Sequence, residues 1–278
     1  NGYFPRNFSA KRSGYSNKPT EHQLASYGSA IIDVVRRNSP TELRRFLEAG
    51  LSPNACNQHG ESLLHMVCRH GKVDLFRVLV AFDVDLQQTD DYGRTCFIDC
   101  CWAAQPSFEI ASWLLKADRD FLFLYDARGS LPLSYVTKAN WNAWKEFLDE
   151  NIPKVFPKRG GKKYDDVPFL CTLKPNCRPV PDPKDTIPSS LAQLVANGQM
   201  TPHEAMVAMA DADDESTIAC SESYLSSSDD DEDDDDSSSY DESDFDSDYD
   251  SDFDSDEEDE LYKIAGGIGK VQLCTIQE

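Results

Sequence analysis

The stretch that most constrains the fold is Gly60-Glu-Ser-Leu-Leu-His65-Met-Val-Cys-Arg-His-Gly71, followed by Val73-Asp-Leu-Phe-Arg-Val-Leu-Val80. A glycine turn, a short periodic apolar run, a second glycine and a longer periodic run predict a helix, a break and a helix. The pattern recurs. Gly93-Arg-Thr-Cys-Phe-Ile-Asp-Cys-Cys101 begins 33 residues later, and Gly129-Ser-Leu-Pro-Leu-Ser-Tyr-Val136 follows after 36, the surplus falling in the Gln105-Pro106-Ser107 loop and near Phe123. Upstream, Tyr27-Gly28-Ser-Ala-Ile-Ile32 with Leu43-Arg-Arg-Phe-Leu-Glu-Ala-Gly50 makes a degenerate copy, 32 residues before Gly60. One such unit cannot bury its own apolar stripe, and an array needs about three of them for mutual burial. Four in register over residues 28–150 predict a stacked helical array.

The repeated box resembles the ankyrin repeat, whose consensus there is Gly-x-Thr-Pro-Leu-His-x-Ala-Ala-x-x-Gly. Leu64, His65 and Gly71 match it outright, while Ser62 stands for Thr and Leu63 for Pro. The resemblance implies an all-α fold: an ankyrin-repeat solenoid of helix-turn-helix repeats with short hairpin tips, about four repeats long. Leu63, Cys96 and Leu131 depart from consensus at buried or turn positions, and Asp83 and Asp118 stand where the later hairpins would carry Gly.

Within the repeats, Ser62 or Thr95 is placed to cap a first helix through its hydroxyl, and Pro132 sits at a tolerated first-turn position. Leu64, Val67 and Cys68, then Leu75, Val78 and Leu79, fall at helical spacing and form the expected buried stripe. Trp141, Trp144, Phe147 and Leu148 are expected to close the open end of a truncated last copy.

Flanking segments differ sharply in composition. Residues 1–27 read as a flexible, mildly basic arm, and 28–151 as the repeat domain. Residues 152–188 hold eight of the fifteen prolines and eight Lys or Arg against four Asp, which predicts an extended basic linker without helix. Residues 189–210 read as a short helical pair, with a capping box at Thr201-Pro202-His-Glu204 and an apolar face (Leu191, Leu194, Val195, Met206, Met209) that must dock on something. Residues 211–260 contain 26 of the chain's 50 acidic residues and no Lys or Arg. That composition predicts a disordered acidic Ser/Asp tail. Residues 261–278 regain apolar character as a docking peptide or short hairpin. Without the tail segment, 24 acidic residues face 27 Lys and Arg, so the formal charge of −23 belongs to one segment.

The chemistry-bearing residues favour binding over catalysis. His65 is expected to hydrogen-bond backbone between repeats, and nothing in the sequence supplies it with a nucleophile and an orienting acid. Cys68, Cys96, Cys100 and Cys101 occupy small buried positions rather than a zinc site, and Cys171 and Cys177 lack a metal-binding spacing. Gly266–Lys270 fails the phosphate-loop pattern, because Ile264 and Val271 occupy two of its required positions. The alternating aspartates from Asp244 to Asp254 lack the glycine of a calcium loop. No catalytic, cofactor or metal residue is therefore assigned, and no enzyme activity is expected.

The resemblance places partner contacts on tips and exposed first-helix positions of a concave face. In this sequence those are His59, Glu61, Tyr92, Arg94 and Arg128 on the tips and Met66, Arg69, Trp102 and Tyr135 on the helices. Aromatic residues, Met and Arg are the types enriched at interface hot spots. The expected function is a non-catalytic adaptor or scaffold that binds a protein partner. The alternative puts function in the tail, whose Phe245, Tyr249 and Phe253 among acids resemble the acidic-aromatic segments of histone chaperones, suited to basic proteins. Ser228, Ser243, Ser247, Ser251 and Ser255 each precede an acid at the third position, which resembles casein kinase 2 substrates. The tail is also complementary to the linker cations Lys158, Arg159, Lys162, Lys163, Lys174 and Arg178.

A sequence pI near 4.5 argues against direct nucleic-acid binding, although less so for the nearly neutral repeats. Nine scattered cysteines without Cys-x-x-Cys pairs suit the reducing cytoplasm or nucleus. No apolar run spans a membrane and no signal-peptide core is present. A monomer is expected. The sequence begins at Asn1, so an upstream targeting segment stays open.

Overall fold

The computed structural model describes residues 2–15, 17–158, 160, 170–171, 178–180, 182–184 and 186–215. The tail and C-terminal segment beyond Glu215, with their five candidate phosphorylation sites, and most linker cations lie outside the described residues.

After a short α1 (Glu21–Ala25), the array is built of pairs: α2 (Ser29–Arg36) with α3 (Pro40–Glu48), α4 (Leu63–Arg69) with α5 (Val73–Ala81), and α6 (Cys96–Trp102) with α7 (Phe108–Ala117). First helices α2, α4 and α6 stack in one row and second helices α3, α5 and α7 in another. Leu64, Val67, Cys68, Leu75, Val78 and Leu79 all lie in the core, as their spacing predicted. A fully buried aliphatic side chain of this kind contributes roughly 1.5–3 kcal/mol.

The fourth unit is irregular in its first half, not its second. Its first helix shrinks to a 3-10 turn at Pro132–Tyr135, because Val136 is extended, and a second 3-10 turn at Lys138–Asn140 leads into α8 (Trp141–Val155). α8 continues the second-helix row past the expected boundary at 151, carrying Pro153 inside its last turns. Proline lacks a donor but breaks a helix only by the bond it removes and the clash it makes, and here the helix ends within three residues. Trp144 sits edge-on to Phe97 and Phe108, and Phe108 stacks on Phe147 at 4.9 Å, so these aromatics close the array's end.

The expected free N-terminal arm is instead a strap packed against the third and fourth units and α8. Tyr3 packs edge-on to Phe156, Arg119 lies over Tyr3, and Tyr15 packs on Phe121. Strand β1 (Phe8–Ser9) pairs in parallel with β3 (Leu124–Tyr125), and β2 (Asn17–Lys18) with β4 (Arg178–Pro179). Tyr3, Ala10 and Tyr15 supply the apolar surface that composition alone concealed. The strap then enters α1, whose Thr20 and Gln23 form a capping box, and Gln23 Nε2 also donates to Val180 O and Asp182 Oδ1.

α9 (Ser189–Ala196) docks on α1 and α2, extending the row of first helices, and α10 (Pro202–Glu215) packs on α9. Thr201 and Glu204 form the predicted reciprocal cap, at 2.8 and 3.2 Å. The buried contacts of this pair are Ala192, Val195, Ala196 and Ala205, whereas Met206 is exposed. Gly28 makes the close approach possible. A Cβ there would lie 2.7 Å from the Ala196 carbonyl and 2.4 Å from Asn197 Oδ1.

Candidate functional site

Each hairpin tip is wound around one acceptor three residues before its glycine. Asn57 Oδ1 accepts from the His59 and Glu61 amides, Asp90 Oδ1 from Tyr92 and Arg94, and Asp126 Oδ1 from Arg128 and Ser130, all at 2.8–3.0 Å. Such side-chain-to-backbone bonds fix a turn that glycine at positive φ completes; Gly60 and Gly93 lie at φ 76° and 73°. Neighbouring tips are also laced together: Asp91 N–H donates to His59 O and Ala127 N–H to Tyr92 O. The tip residues named from sequence are therefore held on a rigid edge.

His65 ties this edge to the helices. Its Nδ1 accepts from the Ser62 amide at 3.2 Å and faces the Ser62 hydroxyl at 2.8 Å, and Nε2 lies 3.1 Å from Arg94 O. A carbonyl only accepts, so the proton sits on Nε2. The predicted inter-repeat backbone bond is present, and the Ser62 hydroxyl serves the ring. Thr95 does cap its helix, accepting from the Ile98 amide at 3.4 Å.

Along the first-helix face, Arg36, Arg69, Trp102 and Tyr135 follow one another at 33-residue intervals. The last three touch as a ladder. The Arg69 guanidinium lies 5.0 Å from the Trp102 ring centre, Arg94 lies 5.6 Å from it, and Trp102 meets Tyr135 at 6.1 Å. Arg94 also covers the exposed Tyr92 at 5.2 Å. Cation–π contacts of this kind are worth about 0.5–1 kcal/mol where exposed and more where dry.

Carboxylates beneath the ladder hold it in place. Arg69 bonds Asp99 Oδ1 through Nε and Nη2 at 2.8 and 2.7 Å and reaches Glu61 at 2.8 Å. Asp99 is 1% exposed, and its Oδ2 has no hydrogen-bond partner. Burial pushes the Asp99 carboxyl above its ordinary range against the pull of Arg69. Burial lowers the Arg69 guanidinium, but Asp99 and Glu61 outweigh it and raise it overall. Arg94 Nε donates to Asp90 Oδ2 at 2.6 Å. The Tyr135 hydroxyl donates to Asp126, and burial followed by that bond raises its pKa.

Of the nine residues named from sequence, Glu61, Arg69, Tyr92, Arg94, Trp102 and Tyr135 thus form one connected cluster. Met66 packs partly against the core. His59 stays on the rim beside Asp91 at 3.5 Å, and the Arg128 side chain is exposed outside the ladder. Tyr135 stands on the 3-10 turn rather than on a helix. The sequence reasoning missed Asp99, Asp90 and Asp126, which aim the cluster, and Arg36, which continues it. A single acid inside Cys-Phe-Ile-Asp-Cys-Cys-Trp was the available signal for Asp99, and the 33-residue interval was the signal for Arg36.

The cysteines fill the seam between α4 and α6. Cys68, Cys96, Cys100 and Cys101 are fully buried, and the Cys96 thiol donates to the Leu86 carbonyl at 3.2 Å. Burial pushes the Cys68, Cys100 and Cys101 thiols up, so they remain protonated and act as small packing groups. Among the described residues, no cluster of His, Cys, Asp and Glu is placed to hold a metal ion.

The family model for ankyrin repeats matches residues 31–125 in three copies. These residues are ankyrin repeats. The matched span ends at Tyr125, and the two helix rows continue beyond it through the 3-10 turn and α8. Over 80 residues the chain is 32% identical to a Caenorhabditis elegans protein described as "Ankyrin repeat and LEM domain-containing protein 1 homolog". That match covers 29% of this chain and 10% of the relative, so the chain spans about a tenth of the relative it matches. Ankyrin repeats are, as a class, protein–protein interaction modules and typically non-catalytic. No described helix is long and apolar enough to cross a membrane.

Proposed function

We propose that the protein is a non-catalytic adaptor that binds a protein partner across the first-helix face of its ankyrin repeats. The observation that carries this is the ladder in which Arg69 and Arg94 hold Trp102, with Tyr135 and Tyr92 at its margins. Trp, Tyr and Arg dominate interface hot spots because they bury large areas with few rotatable bonds and keep a polar edge. Here their rotamers are already fixed by Asp99, Asp90 and Asp126, so docking costs little side-chain entropy. The nine buried or scattered cysteines support a reducing compartment, cytoplasm or nucleus, as the place of action.

A photoreactive residue at exposed Tyr92 tests the reading. It should cross-link a discrete protein from native lysate, while the same probe at Trp113, which lies on α7 in the second-helix row and is 47% exposed, should not. Equal capture from both positions would remove the first-helix face as the specific surface.

A further inference from the structure

The face described above carries an outer layer of cations over an inner layer of anions. Arg36 is 71% exposed, and its neighbour Lys72 donates to the Val35 and Arg36 carbonyls at 2.6 and 2.8 Å. His70 lies among them: burial, then Lys72, Arg69 and Arg36, hold its imidazole below the usual range. Arg36, Lys72, Arg69 and Arg94 therefore supply the cations of this face, with uncharged His70 set among them, and Arg69 and Arg94 lead on to Trp102. The balancing carboxylates lie underneath, Asp99 at 1% and Asp90 at 3% exposure. The half-buried Glu61 and the exposed Asp33 are already engaged, by Arg69 at 2.8 Å and Arg36 at 3.6 Å. Arg94 uses only Nε in hydrogen bonding, so its terminal nitrogens, like Arg69 Nη1, have no hydrogen-bond partner among the described residues. Guanidiniums pinned on one edge and open on the other are built to receive carboxylates.

We infer that the occupant of this face is the chain's own segment from Ser243 to Asp254, docking in cis. This rests on the reading that the same face binds protein, and makes the segment its competitor. In that segment Phe245, Tyr249 and Phe253 recur every four residues, each with aspartate on both sides, and no cation interrupts them. Acid and ring thus alternate in the segment, facing a surface where guanidiniums lie over aromatic rings. The chain's path allows it. The described structure ends with α10, which packs on α9, which itself extends the first-helix row beside α2. Glu215 and Ser243 are 28 residue steps apart, enough to span on the order of 90 Å at ~3.3 Å each. The row from α2 to the 3-10 turn needs only about 30 Å at 8–10 Å per helix. Tethering makes the contact intramolecular, so modest pairwise attraction suffices.

The test uses the full chain with ¹⁵N-labelled tryptophan, comparing wild type with the triple variant Phe245→Ser, Tyr249→Ser, Phe253→Ser. The Trp102 indole cross-peak should move in the variant while Trp113 stays, and a synthetic peptide of residues 243–254 should return it toward the wild-type position. Arg36→Gln, at an exposed site that leaves the core intact, should weaken the peptide's effect several-fold. Tenfold dilution of the wild type should leave the peak unmoved. An unmoved Trp102 in the triple variant, or a response at Trp113 instead, overturns the inference. A position that changes on dilution assigns the contact to a second copy and overturns docking in cis. Partner capture at Tyr92 with an unmoved Trp102 would sink this inference alone, whereas tail docking without partner capture would sink only the adaptor reading.

Discussion

At the scale of single residues, the Arg69–Asp99 pair concentrates the consequences. Removing one member of a buried ion pair strands the other, typically at about 3–5 kcal/mol. Arg69→Ala should therefore destabilise the fold by about 3 kcal/mol near neutral pH. The pH dependence follows from the direction of the Asp99 shift. Burial raises its pKa, so its contribution to stability is fully present below the ordinary carboxylate value of about 3.9 and is lost as pH rises through the raised value. Without Arg69 the main opposing pull disappears, the pKa rises further, and the penalty of charging Asp99 grows. Urea denaturation at pH 7 and pH 4 should show the Arg69→Ala penalty shrinking at the lower pH. A penalty of equal size at both would mean that stranded charge on Asp99 is not its source.

At the scale of elements, the helices of the repeats were legible because period and punctuation agreed: Gly60 and Gly71 bracket α4, and the stripes of α4 and α5 read directly as core. Elements held by distant partners were not. The strap carries no periodicity, because its buried rings meet partners remote in sequence, Tyr3 at Phe156 and Tyr15 at Phe121. The first helix of the fourth unit failed through local backbone at Val136, which its box did not announce. The dock of α9 could be anticipated as a need but not placed, since it depends on the absence of a side chain at Gly28, far away in sequence. That dependence is testable. Gly28→Ala drives a methyl into the Ala196 backbone and should loosen α9, seen as faster amide exchange across residues 189–196 with α4 and α5 unaffected. Unchanged exchange in α9 would show that the approach tolerates a side chain.

For the whole molecule, the repeats supply a first-helix face and the flanks close off its ends. Aromatics of α8 seal one end and α1 and α9 the other, and the ladder presents fixed aromatics and arginines to solvent on the first-helix face. The family's known geometry, laid on residue numbers, located six members of that ladder. The carboxylates that aim it were illegible, because Asp90, Asp99 and Asp126 differ from other acids only in being buried, which is a property of the fold. The most direct test of the account is the affinity of the partner captured at Tyr92 for full-length protein carrying Trp102→Ala or Trp113→Ala. Loss of a hot-spot aromatic costs about 2 kcal/mol or more, so Trp102→Ala should weaken binding by roughly 30-fold and Trp113→Ala by less than about twofold. Wild-type affinity in Trp102→Ala, with its fold intact, would contradict the claim that the first-helix face is where this protein binds.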